Sequence, residues 1–247
     1  MAHRTTTAKQ AGSERLLTSA TKCLSLLDVL AAGTGAVTVS ELSRQLDARR
    51  GTVYQQLQTL VAAGWVEADE HARYRLTLRA LSIGTAVLEQ ANLGSRILPT
   101  LTTLAARSGE TASIAVLDRD AAMIVQRVAA DRELKVDIKP GTRMPLADSA
   151  SGRILLTFCN PSELIRARTA GATFPDERVL DLARKQRYAC QKDEWVAGMS
   201  SIAVPILPTH LGSGALAITA PTGRFDEDMS LQELQRAATE IAGLLGQ

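Results

Sequence analysis

Basic and polar side chains cluster between residues 49 and 58, where apolar residues recur at helical spacing. Val53, Leu57 and Leu60 occupy one side of this predicted helix, so its other side presents hydrogen-bonding groups. Arginine and free backbone amides at a helix N-terminus bind phosphate oxygens, and a glutamine amide can pair with the adenine edge in the DNA major groove. A solvated surface helix would show the same pattern. The predicted contact residues on this helix are Arg49, Arg50, Thr52, Tyr54, Gln55 and Gln58.

The elements around this helix are those of a winged helix-turn-helix. A helix is predicted over residues 19–32, and Thr38 with Glu41 forms a capping box that begins a second, short helix. The third helix follows over residues 49–63, and after Gly64 the apolar period changes from helical to two-residue. That change predicts a small hairpin, or wing, which would lie on the DNA backbone beside the third helix. The predicted DNA contacts outside the third helix are Ser40, Arg73 and Arg75.

Helix and strand patterns alternate irregularly in the rest of the chain. From Thr77 a helical stretch is predicted to about Gln90, and a further helix to Arg107. Beyond Gly109 the patterns indicate antiparallel strands with helices on their faces, an α+β arrangement. The predicted strands are 65–68 and 72–76 in the wing and 111–117, 122–128, 134–138, 202–206 and 215–219 beyond it, with Gly212–Gly214 as the turn between the last two. The predicted helices beyond Gly109 are 150–158, 161–168, 176–187 and 226–245.

These patterns divide the chain into four segments. They are a basic N-terminal arm over residues 1–18, a winged helix-turn-helix domain over 19–79, linker helices over 80–108, and an α+β domain over 109–247. The formal net charge of +2 is too small to predict a nucleic-acid partner. Residues 1–90 hold 10 Lys/Arg and 8 Asp/Glu, so the whole excess of positive charge lies in this part of the chain.

Composition excludes several classes of protein. Cys23, Cys159 and Cys190 are odd in number and far apart, which argues against a disulfide framework or a zinc site and fits a reducing cytoplasm. No apolar run approaches the roughly 20 residues of a membrane span. The N-terminus lacks the apolar centre of a secretory signal. We expect a cytoplasmic protein with no membrane contact.

No combination of residues indicates catalysis. His3, His71 and His210 are predicted to lie in the arm, the wing and a loop, so no Ser/His/Asp set or metal-ligand set is evident. Neither a G-x-S-x-G elbow nor a glycine-rich phosphate loop occurs. Cys190 has no evident base beside it and is interpreted as a structural thiol. We predict no enzyme activity, no metal and no cofactor.

Three collinear segments resemble one protein family. Residues 39–78 are similar to the helix-turn-helix domain of the isocitrate-lyase-regulator (IclR) family of bacterial transcription factors. Gly141–Arg153 resembles that family's G-x-R-x-P-L-x-x-x-A-x-G-K/R segment, which leads into a helix. Arg187–Ile206 resembles a third segment of the family. With their spacing, these matches extend the resemblance over about residues 19–245.

The resemblance implies a winged-helix domain, a linker helix and a GAF-like effector-binding domain, assembled as a homodimer or as a dimer of dimers. It implies a regulator that binds double-stranded operator DNA, represses or activates a metabolic operon, and responds to a small organic acid or aromatic metabolite. The chain departs from the family at Gln55, where many members have a basic residue, and at Gln56, where many have an apolar one. These departures leave the operator sequence open.

The same resemblance implies a place for the effector. In the family the ligand lies between the helix that follows the P-L segment, the region after Tyr188 and the two last strands. A helix that begins near Ser149 suits a carboxylate because its free amides favour an anion, although the serines there also fit a simple helix cap. Members often have an acid at Gln191 and a cysteine at Ser201. The implied effector residues are Leu146, Ser149, Ala150, Ser151, Gln191, Ser201, Ala217 and Thr219.

Two alternative hypotheses remain. The chain could be a small-molecule-binding protein or enzyme whose helix-turn-helix serves only dimerisation. It could also be a DNA-binding protein without sequence preference, although the near-neutral charge argues against that class.

Overall fold

The computed structural model describes residues 17–33, 35–209 and 212–245, which divide into two units between Gly84 and Thr85. Residues 1–16 of the predicted arm and His210 of the predicted loop lie outside the described part, and Thr18 begins the first helix. The first unit contains α1 (Thr18–Ala32), β1 (Val37–Thr38), α2 (Val39–Gln45), α3 (Arg50–Ala62), β2 (Val66–Ala68) and β3 (Arg73–Leu76). Helix α4 (Arg79–Gln90) crosses the boundary between the units.

Three helices and a small antiparallel sheet share one apolar core in the first unit. The capping box is confirmed, since the Glu41 carboxylate accepts from the backbone amide of Thr38 at 2.7 Å while Thr38 Oγ1 accepts from the Glu41 amide. The predicted wing is confirmed as the hairpin β2–β3, and β1 adds a third strand that was not predicted because two residues show no alternation. The core side chains are Leu26, Leu30, Leu42, Val53, Leu57, Leu60, Val66 and Tyr74.

The second unit is an antiparallel sheet with helices on both faces, so the predicted α+β class is confirmed. The strand order is β6-β5-β4-β9-β8-β7. The strands are β4 (Thr111–Asp118), β5 (Ala121–Val128), β6 (Arg143–Pro145), β7 (Ala189–Lys192), β8 (Met199–Thr209) and β9 (Gly212–Pro221). The helices are α5 (Leu98–Ser108), α6 (Ala150–Phe158), α7 (Pro161–Thr169), α8 (Glu177–Gln186) and α9 (Glu227–Leu245).

The two faces of this sheet differ in side-chain size. Residues that lie opposite each other on paired strands share a face, so the register assigns every strand residue to one side. The aliphatic face contains Ile114, Ile202, Leu216 and Ile218 and packs against α5 and α9. The small-residue face packs against α6 and α8. Its members are Thr111, Ser113, Ala115, Ala189, Gln191, Ser201, Ala203, Ala215, Ala217 and Thr219.

Two predicted elements of the second unit are wrong. Residues 134–138 form no strand; they belong to an irregular connection over residues 129–142, because Val136 lies over the sheet and accepts a hydrogen bond from Thr111 Oγ1 instead of extending the sheet edge. Strand β6 takes that edge beside β5. Gly212–Gly214 is not a turn but the beginning of β9, where Gly214 pairs with Val116 and Ile206. The glycines of this segment led to the prediction of a turn, but pairing with the neighbouring strands makes the segment part of β9.

Helix α5, which the sequence analysis assigned to the linker, packs into the second unit. Leu101 and Leu104 are buried in the core of the aliphatic face, and Arg107 binds the Glu233 carboxylate of α9 through two N–H groups, at 2.5 and 2.7 Å. Gly109 ends α5 in the left-handed conformation, with φ of 65°, as a glycine cap does.

We expect Gly152→Ala to destabilise the second unit by about 1–3 kcal/mol, because a Cβ here has no room. It would lie 2.5 Å from Leu146 Cα and 2.6 Å from the Leu146 carbonyl oxygen, so α6 could not keep its place against that backbone. Thermal or urea unfolding measures the loss. The matched control is Gly243→Ala in α9, where nothing lies within 4 Å of the added atom. Equal effects of the two substitutions would contradict this account of Gly152.

Candidate DNA-binding surface and effector site

The polar side of α3 is exposed, as its spacing predicts. Val53, Leu57 and Leu60 are buried, whereas Tyr54 is 50% exposed. Arg49, Arg50, Gln55 and Gln58 are exposed as well. The structure therefore brings these predicted contacts together on one solvent-facing side of a helix whose other side is anchored in the core.

The N-terminus of α3 has unpaired backbone donors. Arg49 occupies the N-cap position, and no described side chain makes a capping hydrogen bond to this helix end. The amides of Thr52 and Val53 donate to the Arg49 carbonyl at 3.0 and 3.1 Å, which leaves the amides of Arg50 and Gly51 without a capping partner among the described residues. Two exposed guanidinium groups lie at the same helix end, so the arrangement suits an anion.

A groove separates α3 from α1. It encloses about 690 Å³ and is bordered by Lys22 and Cys23 of α1 and by Thr52, Gln55 and Gln56 of α3. Thr52 and Gln56 are half-buried, so they lie on the flank of α3 that faces α1. Thr52 is consequently set apart from Arg50, Tyr54 and Gln58, with which it was grouped from sequence.

The wing arginines are already paired with carboxylates of the same hairpin. Arg73 Nε donates to Asp69 Oδ2 at 2.8 Å, and Arg75 Nε donates to Glu67 Oε1 at 2.6 Å. The backbone amide of Arg73, together with its side chain, holds the pKa of Asp69 below its usual range. Both arginines remain exposed, so their remaining N–H groups can reach a phosphate beside the hairpin.

Ser40 lies in the first turn of α2 and is half-buried. Its position is set by the capping box, in which the Thr38 amide and hydroxyl hold the pKa of Glu41 below its usual range. The helix that precedes α3 therefore begins at a defined residue.

The predicted effector residues of the second unit converge on the small-residue face. Gln191 lies opposite Ser201, and Ser201 lies opposite Thr219, so three of them form one row across three strands. Ala217 lies two residues from Thr219 on the same strand and face. Leu146, Ala150 and Ser151 come from the loop before α6 and its first turn, which pack on this face. All eight predicted residues are buried, including Gln191, which the sequence analysis placed near the mouth of the cleft.

Hydrogen bonds divide the polar members of this set into two kinds. Ser149 is the N-cap of α6, since its Oγ accepts from the Gly152 amide at 3.0 Å and donates to the Pro145 carbonyl at 2.7 Å. Gln191 donates to Ser201 Oγ at 3.2 Å and accepts from the Glu194 amide. Ser151 and Thr219 are buried residues whose hydroxyls make no hydrogen bond within the described ranges; the fully buried side-chain oxygen that lacks a partner there is Ser43 Oγ.

Two polar residues of the same face were not predicted. Ser113 of β4 is buried and lies opposite Ala217, and Arg127 of β5 lies opposite Ser113. Both residues lie in strands that the sequence predicts. Sequence alone does not assign them to this face, because the face on which each side chain lies depends on the strand register.

The three cysteines are free thiols, and two of them have a raised pKa. Burial raises the pKa of the Cys190 thiol to about 12, with a further contribution from the Glu227 carboxylate, so the thiol stays protonated. Cys23, Cys159 and Cys190 form no disulfide. In the described part of the chain, no three His, Cys, Asp or Glu residues are grouped as metal ligands. No described helix is long and apolar enough to cross a membrane.

Comparison with protein families gives two matches that together span most of the chain. The IclR helix-turn-helix domain matches residues 19–70, and the C-terminal domain of the bacterial transcriptional regulator IclR matches residues 85–243.

Curated relatives are similar over nearly their full lengths. The glycerol operon regulatory protein of Streptomyces coelicolor is 31% identical over 92% of this chain and 94% of its own. The HTH-type transcriptional regulator BhcR of Paracoccus denitrificans is 30% identical over 95% of this chain and 87% of its own. An IclR homologue from Microbacterium hydrocarbonoxydans, solved in complex with 4-hydroxybenzoate, has the same fold. Its TM-score is 0.79 at 20% identity, over 92% of this chain and 99% of that one.

Proposed function

We propose that the two units of this chain, which belongs to the IclR family of bacterial transcriptional regulators, have separate functions. The chain is a ligand-responsive, DNA-binding transcriptional regulator of a metabolic operon and not an enzyme, as its relatives are. In our proposal α3 and the wing bind operator DNA in the bacterial cytoplasm. The small-residue face binds a small organic acid or aromatic metabolite, which changes the affinity for DNA.

The exposed side of α3 supports the first part of the proposal. Arg49, Arg50 and the free amides at the helix N-terminus bind phosphates, while Gln55, Gln58 and Tyr54 face base edges in the major groove. Ser40 and Thr52 add backbone contacts, and Arg73 and Arg75 bind phosphates beside the wing. An amide-rich surface of this kind favours adenine, which glutamine binds through two hydrogen bonds.

We expect Arg50→Ala and Gln58→Ala to affect DNA binding in different ways. Loss of a phosphate contact weakens binding to every sequence and reduces the slope of log affinity against log salt by about 1. Loss of a base contact costs about 1–3 kcal/mol and relaxes the preference at one base pair. Fluorescence anisotropy with DNA from upstream of the protein's own gene, measured at several salt concentrations, separates the two effects. Arg184→Ala, which removes an exposed arginine of α8, is the control. Absence of salt-sensitive binding in the wild type would refute this assignment.

The size and polarity of the small-residue face support the second part of the proposal. The side chains of β4, β8 and β9 on this face are short, and the hydroxyls of Ser151 and Thr219 suit a polar ligand. The amides of the first turn of α6 suit a polar oxygen of the ligand. Leu146, Ala150 and Ala217 supply apolar contacts, while Ser149 and Gln191 hold the α6 end and the β7 wall in position.

A screen of small carboxylates and aromatic acids by thermal unfolding is expected to find compounds that raise the melting temperature, since binding to the folded state stabilises it. The same compounds should change the affinity for DNA about 5- to 150-fold. Thr219→Val keeps the side-chain shape, removes the hydroxyl and should weaken this response. Thr239→Val, on the exposed side of α9, should leave it unchanged. Stabilising compounds with no effect on DNA affinity would show that ligand binding and DNA binding are not coupled.

Helix α4 supports assembly as a homodimer or a dimer of dimers. None of its residues is buried within the chain, and residues 80–88 contain no charged side chain. Leu78, immediately before α4, is 87% exposed, and Leu81, Ile83 and Val87 are 66%, 53% and 42% exposed. The uncharged, exposed apolar stretch over residues 80–88 favours a partner, and a second copy of the same helix provides a matching surface. Pairing through α4 would also set the spacing between two recognition helices.

We expect Leu81→Glu combined with Val87→Glu to convert the assembly to monomers, because buried carboxylates oppose pairing of the two helices. Analytical ultracentrifugation measures the change in mass, and anisotropy should show weaker DNA binding because only one half-site is held. Leu182→Glu, at an apolar residue of α8 that is 57% exposed, is the matched control. An unchanged oligomer in the double variant would place the interface elsewhere.

A further inference from the structure

Arg127 lies on the same face of the sheet as the proposed effector site. Ser113 is the residue between them, since it lies opposite Arg127 on β5 and opposite Ala217 on β9. Neighbouring strands are about 4.8 Å apart, so the Cα atoms of Arg127 and Ala217 are about 10 Å apart across Ser113. A guanidinium and a bound carboxylate together span a distance of this size above Ser113. The Arg127 side chain is 22% exposed, so it is partly removed from solvent.

A β-bulge gives Arg127 this orientation. Ile114 pairs with Gln126 while the next residue, Ala115, pairs with Ile124, so Val125 is the extra residue of β5. Without the bulge, strict alternation from Ile124 would turn Arg127 toward the aliphatic face. The bulge therefore places a cation where the face otherwise presents small neutral side chains.

Arg127 is paired with a carboxylate from the irregular connection over residues 129–142. Its Nη1 donates to Asp137 Oδ1 at 2.6 Å, and in the described part of the chain Asp137 is the only acceptor for the five N–H groups of this guanidinium. The preceding residue is held over the sheet, because Thr111 Oγ1 donates to the Val136 carbonyl at 3.0 Å. Asp137 therefore pairs with Arg127 on the side of the sheet that carries the small-residue face.

Ser113, which lies opposite Arg127 on β4, has a hydroxyl that faces the same side of the sheet. The residue is 1% exposed, and its hydroxyl makes no hydrogen bond within residues 17–33, 35–209 and 212–245; the fully buried side-chain oxygen that lacks a partner there is Ser43 Oγ. A ligand oxygen between Ser113 and Arg127 would accept a hydrogen bond from this hydroxyl.

We propose that Arg127 and Ser113 bind the carboxylate of the effector, and that Asp137 pairs with Arg127 until that carboxylate replaces it. The inference rests on the proposed function, in that it assigns the anion-binding residues of the same site. A guanidinium binds a carboxylate through two parallel hydrogen bonds, whereas Asp137 now uses one. The Asp137 side chain is 55% exposed, so solvent weakens its attraction and compensates for its release.

Exchange at Arg127 would link ligand binding to the connection over residues 129–142. Other tethers hold the earlier part of that connection, since Arg224 donates to the Leu134 carbonyl at 2.7 Å and Arg132 to the Gly109 carbonyl at 2.8 Å. In its later part, Asp137 binds Arg127, the Val136 carbonyl accepts from Thr111, and Gly141 and Thr142 are hydrogen-bonded to the backbone of Ile124. Release of Asp137 therefore removes one contact of the segment that leads into β6, while the sheet edge stays paired.

The test compares carboxylates with their uncharged carboxamides. Acetate, benzoate and 4-hydroxybenzoate are titrated against acetamide, benzamide and 4-hydroxybenzamide at constant ionic strength, with calorimetry and thermal unfolding as measurements. Wild-type protein should bind at least one carboxylate about tenfold or more tightly than its carboxamide, because a charge-assisted hydrogen bond is stronger than a neutral one. Arg127→Gln should reduce this ratio to about one, and Ser113→Ala should reduce it partly.

The Asp137→Asn and Arg127→Gln variants are expected to change carboxylate binding in opposite directions, which distinguishes ligand exchange at Arg127 from damage to the fold. Asp137→Asn removes the competing charge and should tighten carboxylate binding, while hydrogen exchange over residues 135–138 becomes faster. Damage to the fold would weaken binding in both variants. Arg143→Gln and Asp120→Asn, which break a similar ion pair beside the β4–β5 turn, are the matched controls and should change neither quantity.

Any one of three results would refute the inference. Equal carboxylate binding by wild type and Arg127→Gln, weaker binding by Asp137→Asn, or a wild type that none of the three carboxylates stabilises would each refute Arg127 as the anion anchor. The proposed function fails by different results, namely absence of salt-sensitive DNA binding or absence of any ligand, charged or neutral, that alters it. A carboxamide that binds and changes DNA affinity would preserve the regulator and reject the anchor.

Discussion

Cross-strand register in the six-stranded sheet is the constraint on which the second unit depends. Because paired residues share a face, the register collects Ile114, Ile202 and Ile218 on the side of α5 and α9, where they form a dense aliphatic core. The same register collects Ser113, Ser201 and Thr219 on the other side, beneath α6 and α8. Both faces bury apolar residues, but the second also has short polar side chains, which suit a ligand.

The first unit separates stability and recognition in the same way, but along one helix. Val53 and Leu57 anchor α3 in the core, which frees the opposite side for polar groups. Net charge contributes little to this surface, because Arg73 and Arg75 each have a carboxylate partner in the wing. Binding to DNA would accordingly depend on how α3 presents its N-terminus and its glutamines, and less on a general attraction between a basic domain and phosphate.

Local signals predicted the elements that local interactions determine. The capping box at Thr38 and Glu41, the apolar period of α3 and the two-residue period of the wing each involve neighbours along the chain, and each is confirmed. Sequence-based prediction failed where a contact from elsewhere decides the conformation. Residues 134–138 have a strand-like composition, yet a side chain of β4 holds them over the sheet. The glycines at 212 and 214 resemble a turn, yet both belong to β9, where Gly214 pairs with β4 on one side and β8 on the other.

The sequence by itself therefore determined most of the elements, the family, the exposed side of α3 and the segments of the candidate effector site. The resemblance grouped Gln191, Ser201, Ala217 and Thr219, and the strand register brings them together on one face. Only the tertiary structure decided that Ser113 and Arg127 share this face. The reason is the bulge at Val125, which reverses the alternation of β5 for the residues that follow. One extra residue in β5 changes the face on which each later side chain of that strand lies. This bulge can be recognised only from the pairing of β5 with β4.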